Sequence, residues 1–362
     1  MAALVGLRRA TLLLCAGTAA LVAADNEPAQ AAEAATGIYL LGSKTAMAGF
    51  VPPPGTYVQS LTYYYKGDTA DLIPFADRLT VGLNASALLE LGIITWIAPG
   101  KVLGGNVGFG VFVPYGRKQA EANLELSLQR APVGVDVTDD QSAFGDLVGS
   151  AIIGWHAGNW HWNLGALVNA PTGFWQRRRL TNLGFNRWAF DASAAVTWLD
   201  PKSGIEISGS AGLTFNLENP ANDYQTGTES HLEFALMRHI GKDFSFGVAG
   251  YHYQQVTGDS GAGAKLGDFK GRVSAVGPML TYTFTVDKTP ISTSVSWMHE
   301  FNARNRLEGN AGLLNVVVPP GWQPLGGRCP PGIRSSRHAP RQPIAARSVI
   351  HPMAAATRFA AR

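Results

Sequence analysis

The stretch Met298-His299-Glu300-Phe301 begins like the helical zinc motif H-E-x-x-H, but Ala303 stands where the second histidine belongs. The residues around it alternate apolar and polar, and on a strand His299 and Glu300 point to opposite faces, so one ion cannot use both. The acidic run Asp139, Asp140 and Asp146 offers the oxygen donors calcium takes, yet it reads more simply as a solvated loop. Gly261 to Gly267 (GAGAKLG) lacks the G-x-G-x-x-G spacing of a nucleotide loop, and no strand-to-helix pattern surrounds it. Asn84-Ala85-Ser86 spells a glycosylation sequon inside a strand pattern. His231, His239, His252 and His299, with many serines, leave open a hydrolase whose Ser and His sit on the outer wall of a barrel, although no G-x-S-x-G elbow is present. These residues single out no catalytic, metal or cofactor site, so the elements that carry them must say more.

Those elements are strands. In GIEISGSAGLTFNL, Ile205, Ile207, Ala211, Leu213, Phe215 and Leu217 share one face and Glu206, Ser208, Ser210, Thr214 and Asn216 the other. ISTSVSWMHEF sets Ile291, Val295, Trp297 and Phe301 against Ser292, Ser294, Ser296 and Glu300, and WAFDASAAVTW sets Trp188, Phe190, Val196 and Trp198 against Asp191, Ser193 and Thr197. The pattern predicts strands at 57–66, 79–97, 102–115, 145–157, 159–170, 186–199, 204–217, 229–240, 243–256, 272–286, 291–301 and 311–318. Most are longer than the roughly five or six residues of a globular strand and near the 9–11 that cross a bilayer at a tilt.

The connections decide between a sandwich and a membrane barrel. Tight turns around Pro99, at Gly158-Asn159, from Asp200, at Gly241-Lys242 and from Asp287 alternate with long polar stretches at 67–78, 116–144, 171–185, 218–228, 257–271 and 302–310. The expected fold is all-β: a transmembrane up-and-down antiparallel barrel of about twelve strands, with short periplasmic turns and long extracellular loops. LELSLQ (Leu124–Gln129) also alternates, as a hairpin arm, a constriction or an extra strand; the even strand count keeps it in a loop. Aromatics near strand ends (Tyr57, Tyr63, Tyr65, Trp155, Trp160, Trp162, Trp188, Trp198, Tyr251, Tyr253 and Trp297) read as interfacial girdles. Charged residues are only 15% of the chain and Gly 42 of 362, a composition short of the roughly 25% charge usual for a soluble surface.

The chain divides into a cleaved export signal (1–31), a periplasmic segment (32–56), the barrel (57–318) and a Pro/Arg/Ala-rich disordered tail (319–362). Arg8 and Arg9, the apolar run Ala10–Ala24 and Ala29-Gln30-Ala31 are the parts of a signal peptide. The tail reads as a shifted reading frame or a low-complexity extension, and it accounts for the formal charge of +3. Without it, residues 1–318 carry 22 basic and 26 acidic groups, so the basic balance does not point to nucleic acid. Cys15 lies in the signal and Cys329 in the tail, leaving the barrel without disulfides.

Alternation assigns Asp191, Glu206, Ser208, Ser210, Glu233, Ser292, Ser294, Ser296 and Glu300 to the lumen, with Arg272 or Ser274 nearby depending on register. A lumen dominated by Ser, Thr, Gly and Ala, in a barrel between filled eight-stranded and open sixteen-stranded ones, suits a small, weakly polar solute. In the loops, Asp223, Tyr224, Asp259, Lys265, Asp268 and Lys270 are candidates for a network or gate.

The ordered blocks FVPPPGTYVQSLTYYY, NAPTGFW, LTNLGFNRWAFD, TWLDPKSGIEISGSAGLTFNLENPANDYQTGTESHLEF, GYHYQQVTGDSGAGAKLGDFKGRVSAVGP and WMHEFNARNRLEGN resemble bacterial outer-membrane proteins grouped under the meta-pathway of phenol degradation. The resemblance covers roughly residues 37–316 and implies a barrel that takes up hydrophobic, often aromatic, compounds. The chain departs from it after GLLNVVV, where Pro319 and Pro320 end any strand. Taken together, the expectation is a passive channel in the outer membrane of a Gram-negative bacterium. Its partners would be membrane lipid and lipopolysaccharide, a small hydrophobic or aromatic solute and the outer-membrane assembly machinery. A barrel lipase and a structural or adhesive barrel are the alternatives.

Overall fold

The computed structural model describes residues 37–69, 73–75, 78–128, 131–177, 179–264 and 270–319. Residues 1–31, expected as an export signal, and the tail from 320 onward lie outside them. The strands are β1 (Gly55–Thr69), β2 (Ile73–Phe75), β3 (Arg78–Val102), β4 (Gly105–Leu128), β5 (Ala131–Phe144), β6 (Leu147–Ala157) and β7 (Trp160–Ala170). They continue with β8 (Ala189–Asp200), β9 (Ile205–Asn216), β10 (Glu229–Ile240), β11 (Phe244–Gln255), β12 (Arg272–Val286), β13 (Thr289–Arg304) and β14 (Glu308–Val318).

Each strand from β6 to β14 pairs antiparallel with the next, β3 pairs with β4 and β4 with β6, and β1 joins β14 to β3. The seam runs from Val58↔Val318 to Asp68↔Glu308. Twelve strands therefore close a barrel, and every wall strand has a neighbour on both sides, as a lipid-embedded sheet requires.

Side chains alternate across the wall as the sequence predicts. On β10, Leu236 is 51% exposed and its neighbour Met237 is 2%; on β9, Ile207 is 54% exposed and Glu206 fully buried. The outward row of Leu, Ile, Val, Phe and Trp is the surface that faces lipid. Trp160, Trp162, Trp188 and Trp297 stand in that row.

Three expectations change. The stretch 116–144 is not a loop: β4 runs on to Leu128 and β5 returns along it from Leu128↔Ala131 to Tyr115↔Phe144. β5 and β6 flank the same edge of β4, broken at Gly145-Asp146, so one descending path is interrupted and the even count survives. The β3–β4 turn falls at Leu103-Gly104, both with positive φ (49° and 78°), instead of around Pro99, which stays in β3. Third, residues 37–53 are not outside the barrel. They run along its inner wall, where Leu41 joins the buried cluster of Met237, Ala249, Tyr251, Val273 and Met298.

Candidate functional site

Backbone that follows no ladder inside a barrel must find other partners for its N–H and C=O groups. Residues 37–53 find them on the inward side chains of the wall. Glu233 on β10 accepts both the Gly42 and Lys44 N–H groups at 2.7 Å. Glu206 on β9 accepts the Met47 N–H at 2.6 Å, and Thr197 on β8 the Gly49 N–H at 2.9 Å. In the other direction Asn163 on β7 donates to the Ala48 carbonyl at 2.7 Å and Ser210 to the Lys44 carbonyl at 3.1 Å. The Lys44 ammonium reaches Asn163 Oδ1 at 3.0 Å and Ser193 Oγ at 3.3 Å. Near the short turns, a His156 ring nitrogen lies 3.0 Å from the Val51 carbonyl. The fit is close enough that a Cβ on Gly49 would lie 2.3 Å from the His161 carbonyl oxygen. The segment starts beside Glu229, at the long-loop end of β10, and leaves at the short-turn end to begin β1.

The structure brings Asp191, Glu206, Ser208, Ser210, Glu233, Ser296 and Glu300 to the inner wall, each no more than 6% exposed. Asp191 Oδ2 accepts the Thr214 hydroxyl at 2.7 Å and lies 2.8 Å from His231 Nε2, and Tyr39 of the inner segment stacks on that imidazole with ring centres 3.5 Å apart. Glu206 also holds Ser208 and His239 at 2.7 Å. Glu300 accepts the hydroxyls of Tyr65 and Tyr251 at 2.8 Å, and Glu229 that of Tyr253 at 2.5 Å. The Arg306 guanidinium covers the Tyr253 ring at 4.0 Å. His299 faces outward beside Asn310 and Glu300 inward, so the two are indeed on opposite faces.

Arg272 is not among the lumen residues. Val273 and Ala275 point inward at 0% and 2% exposure, which sends Arg272, Ser274 and Val276 to the outer face. Tyr63, Tyr65, Tyr251 and Tyr253 are not girdle residues either; they face the interior and pack in the core. Parity already carried this signal: Phe244, Phe246 and Val248 occupy the opposite face of β11 from Tyr251 and Tyr253. The importance of Asn163, Thr197 and His231 rests on contacts with the inner segment, which alternation alone does not reveal.

Among the loop candidates, Tyr224 and Asp259 come together. The Tyr224 hydroxyl donates to Asp259, whose carboxylate also accepts the Gly227 N–H at 2.9 Å and the Gln255 amide at 2.6 Å. Paired Gln225 and Ser260 backbones join the same two loops. Asp223, exposed and with φ 53°, accepts the Gly263 N–H through its carbonyl, and the Lys270 carbonyl accepts Asn305. Lys265 and Asp268 lie outside the described residues.

Burial pushes the Asp259 carboxyl up to about 6, against the opposing pull of its three donors. A raised carboxyl pKa means that the folded loops bind a proton the unfolded ones do not between about pH 4 and 6. Loop closure should therefore be tightest below about pH 4, weaken as pH rises to about 6 and then level off. Hydrogen exchange at the Gly227 N–H, corrected for its intrinsic pH dependence, should show protection falling across that window; a flat profile would place Asp259 at its ordinary value.

A family model described as "Putative MetA-pathway of phenol degradation" matches residues 66–316. No curated protein matches the chain. Among solved structures, the chain is similar to the COG4313 outer membrane channel from Pseudomonas putida F1, with 15% identity and a TM-score of 0.60 over 77% of this chain and 98% of that one. It is also similar to a FadL homologue from Pseudomonas aeruginosa, with 10% identity and a TM-score of 0.41 over 81% and 97% of the respective chains. The first of these likenesses shows the fold of an outer-membrane barrel.

Proposed function

The chain belongs to the family described by the MetA pathway of phenol degradation, and on that premise we propose that it is an outer-membrane channel for passive uptake of small hydrophobic or aromatic compounds. The observation that carries this reading is the lumen itself. Its walls carry buried carboxylates and hydroxyls beside tyrosines and methionines, and residues 37–53 occupy part of the interior. Such a lining favours a small, weakly polar solute with an aromatic body over ions or bulky sugars. Lipopolysaccharide slows the crossing of apolar compounds, which is the barrier a channel of this kind relieves. The outward apolar row meets lipid and lipopolysaccharide, and the assembly machinery of the outer membrane inserts the barrel.

Initial uptake of a dilute labelled aromatic solute by intact Gram-negative cells tests the reading. Cells carrying the folded barrel should take it up several-fold faster than cells without it, and equal rates would overturn the proposal. Gel migration of folded against boiled protein confirms that the barrel is assembled.

A further inference from the structure

Two histidines meet inside the barrel at its short-turn end, where the inner segment leaves the wall to begin β1. Register pairs His156 of β6 with His161 of β7 across the Gly158-Asn159 turn. Trp160 and Trp162, on either side of His161, are exposed on the outer row, so His161 points inward. His156 is exposed to water and His161 half-buried. Their Nδ1 atoms lie 2.7 Å apart, and His156 Nε2 lies 3.0 Å from the Val51 carbonyl oxygen. Phe50 packs on both imidazoles, with ring centres 5.1 and 5.3 Å away. The chain has no slack here: Thr197 Oγ1 accepts the Gly49 N–H, and a Cβ on Gly154 would lie 2.4 Å from Val51 Cγ2. Residues 49–51 are thus clamped one after another.

A carbonyl oxygen only accepts, so His156 Nε2 carries the hydrogen and its Nδ1 is bare in the neutral ring. The gap between the rings is then closed by His161 Nδ1–H, which leaves His161 Nε2 as the open acceptor. One proton joins the pair at His161 Nε2 and disturbs neither bond. A second has only His156 Nδ1 to go to, where it sets N–H against N–H and cation against cation. We propose that His156 and His161 form a proton-operated latch on residues 49–51, closed while the pair holds one proton or none and open when it holds two. This rests on the channel reading above and adds its regulation. When the rings part, Phe50 loses the surface it packs on, and the end of the inner segment next to β1 loosens. Among the described residues, the elements packed against the pair bring no other titratable group. β8 sets Thr197 opposite His161, the pairing of β4 ends with Asn106 opposite Gly154, and the inner segment supplies Gly49, Phe50 and Val51. Glu206 and His239 bond each other farther along the wall, beyond Thr197 and Ser208.

The test uses the full chain refolded in detergent, checked by heat-modifiable migration and reconstituted in liposomes, with a small neutral sugar as the swelling solute. Lowering the pH from about 7.5 to about 5 should raise the swelling rate about threefold. It should also speed hydrogen exchange in residues 47–51, corrected for its intrinsic pH dependence. His161→Gln, which cannot supply the second charge, should stay closed and protected across the range. His156→Ala, which removes the donor to Val51, should be open already at the higher pH. Glu206 and Glu233 hold the same segment and gain protons in acid in every variant, so the latch is the part of the response that His161→Gln loses. Exchange in residues 47–51 reads the latch even in a barrel that passes no solute, whereas aromatic uptake at neutral pH tests the channel, so the two fail separately. A pH response as large in His161→Gln as in the native chain, or equal exchange at the two pH values, would overturn the proposal.

Discussion

Removal of residues 38–50 should raise the permeability of the reconstituted barrel to small polar solutes by about an order of magnitude. This is the largest effect on permeability that the structure predicts. The segment is held by Glu233, Glu206, Thr197, Asn163 and Ser210, side chains that belong to four neighbouring strands, β7 to β10. A twelve-stranded barrel without such a filling has an interior wider than its own side chains occupy. Single-channel conductance and liposome swelling read the change directly. Glu233→Ala, which frees two N–H groups but leaves the chain in place, should give intermittent openings in place of a steady rise. Unchanged conductance on deletion would mean that the constriction lies elsewhere, in the joined loops at the far end.

Leu236→Arg should destabilise the folded barrel by about 2–4 kcal/mol, the cost of a lipid-facing cation near the bilayer midplane. Leu236 sits near the middle of β10 and is half exposed on the outer row. In a water-soluble sandwich the same exposed position would tolerate arginine within about 0.5 kcal/mol. Urea or guanidinium unfolding in lipid vesicles measures the difference. A result near zero would remove the lipid assignment of this face.

Much of this architecture was legible because a barrel wall is a period-two object. Glu206 and Glu233 are placed inside by their apolar neighbours, Ile205 and Ile207, Leu232 and Phe234, and Glu300 by Trp297 and Phe301 on the other face of β13. Aromatic chemistry points Tyr251 and Tyr253 to a girdle, but Phe244, Phe246 and Val248 fix the opposite face of β11 as the outer one and turn both tyrosines inward. Strand parity alone assigns the arm of β4 and β5 to a loop, because an even count does not register that β5 and β6 share one edge of β4. Residues 37–53 carry no periodic pattern. Their position depends on backbone groups bonding distant side chains, and the sequence of such a segment records only that it contains glycine where the wall comes close, as at Gly49.

The inner segment has a further consequence for how the barrel is made. It leads directly into β1, and β1 is the strand that closes the seam with β14. A peptide enclosed by the wall and continuous with β1 is either in position when that seam forms or threads end-on into the open interior afterwards. The contacts of residues 37–53 with Asn163, Thr197, Glu206 and Glu233 thus tether the strand that closes the seam to the distant wall of β7 to β10.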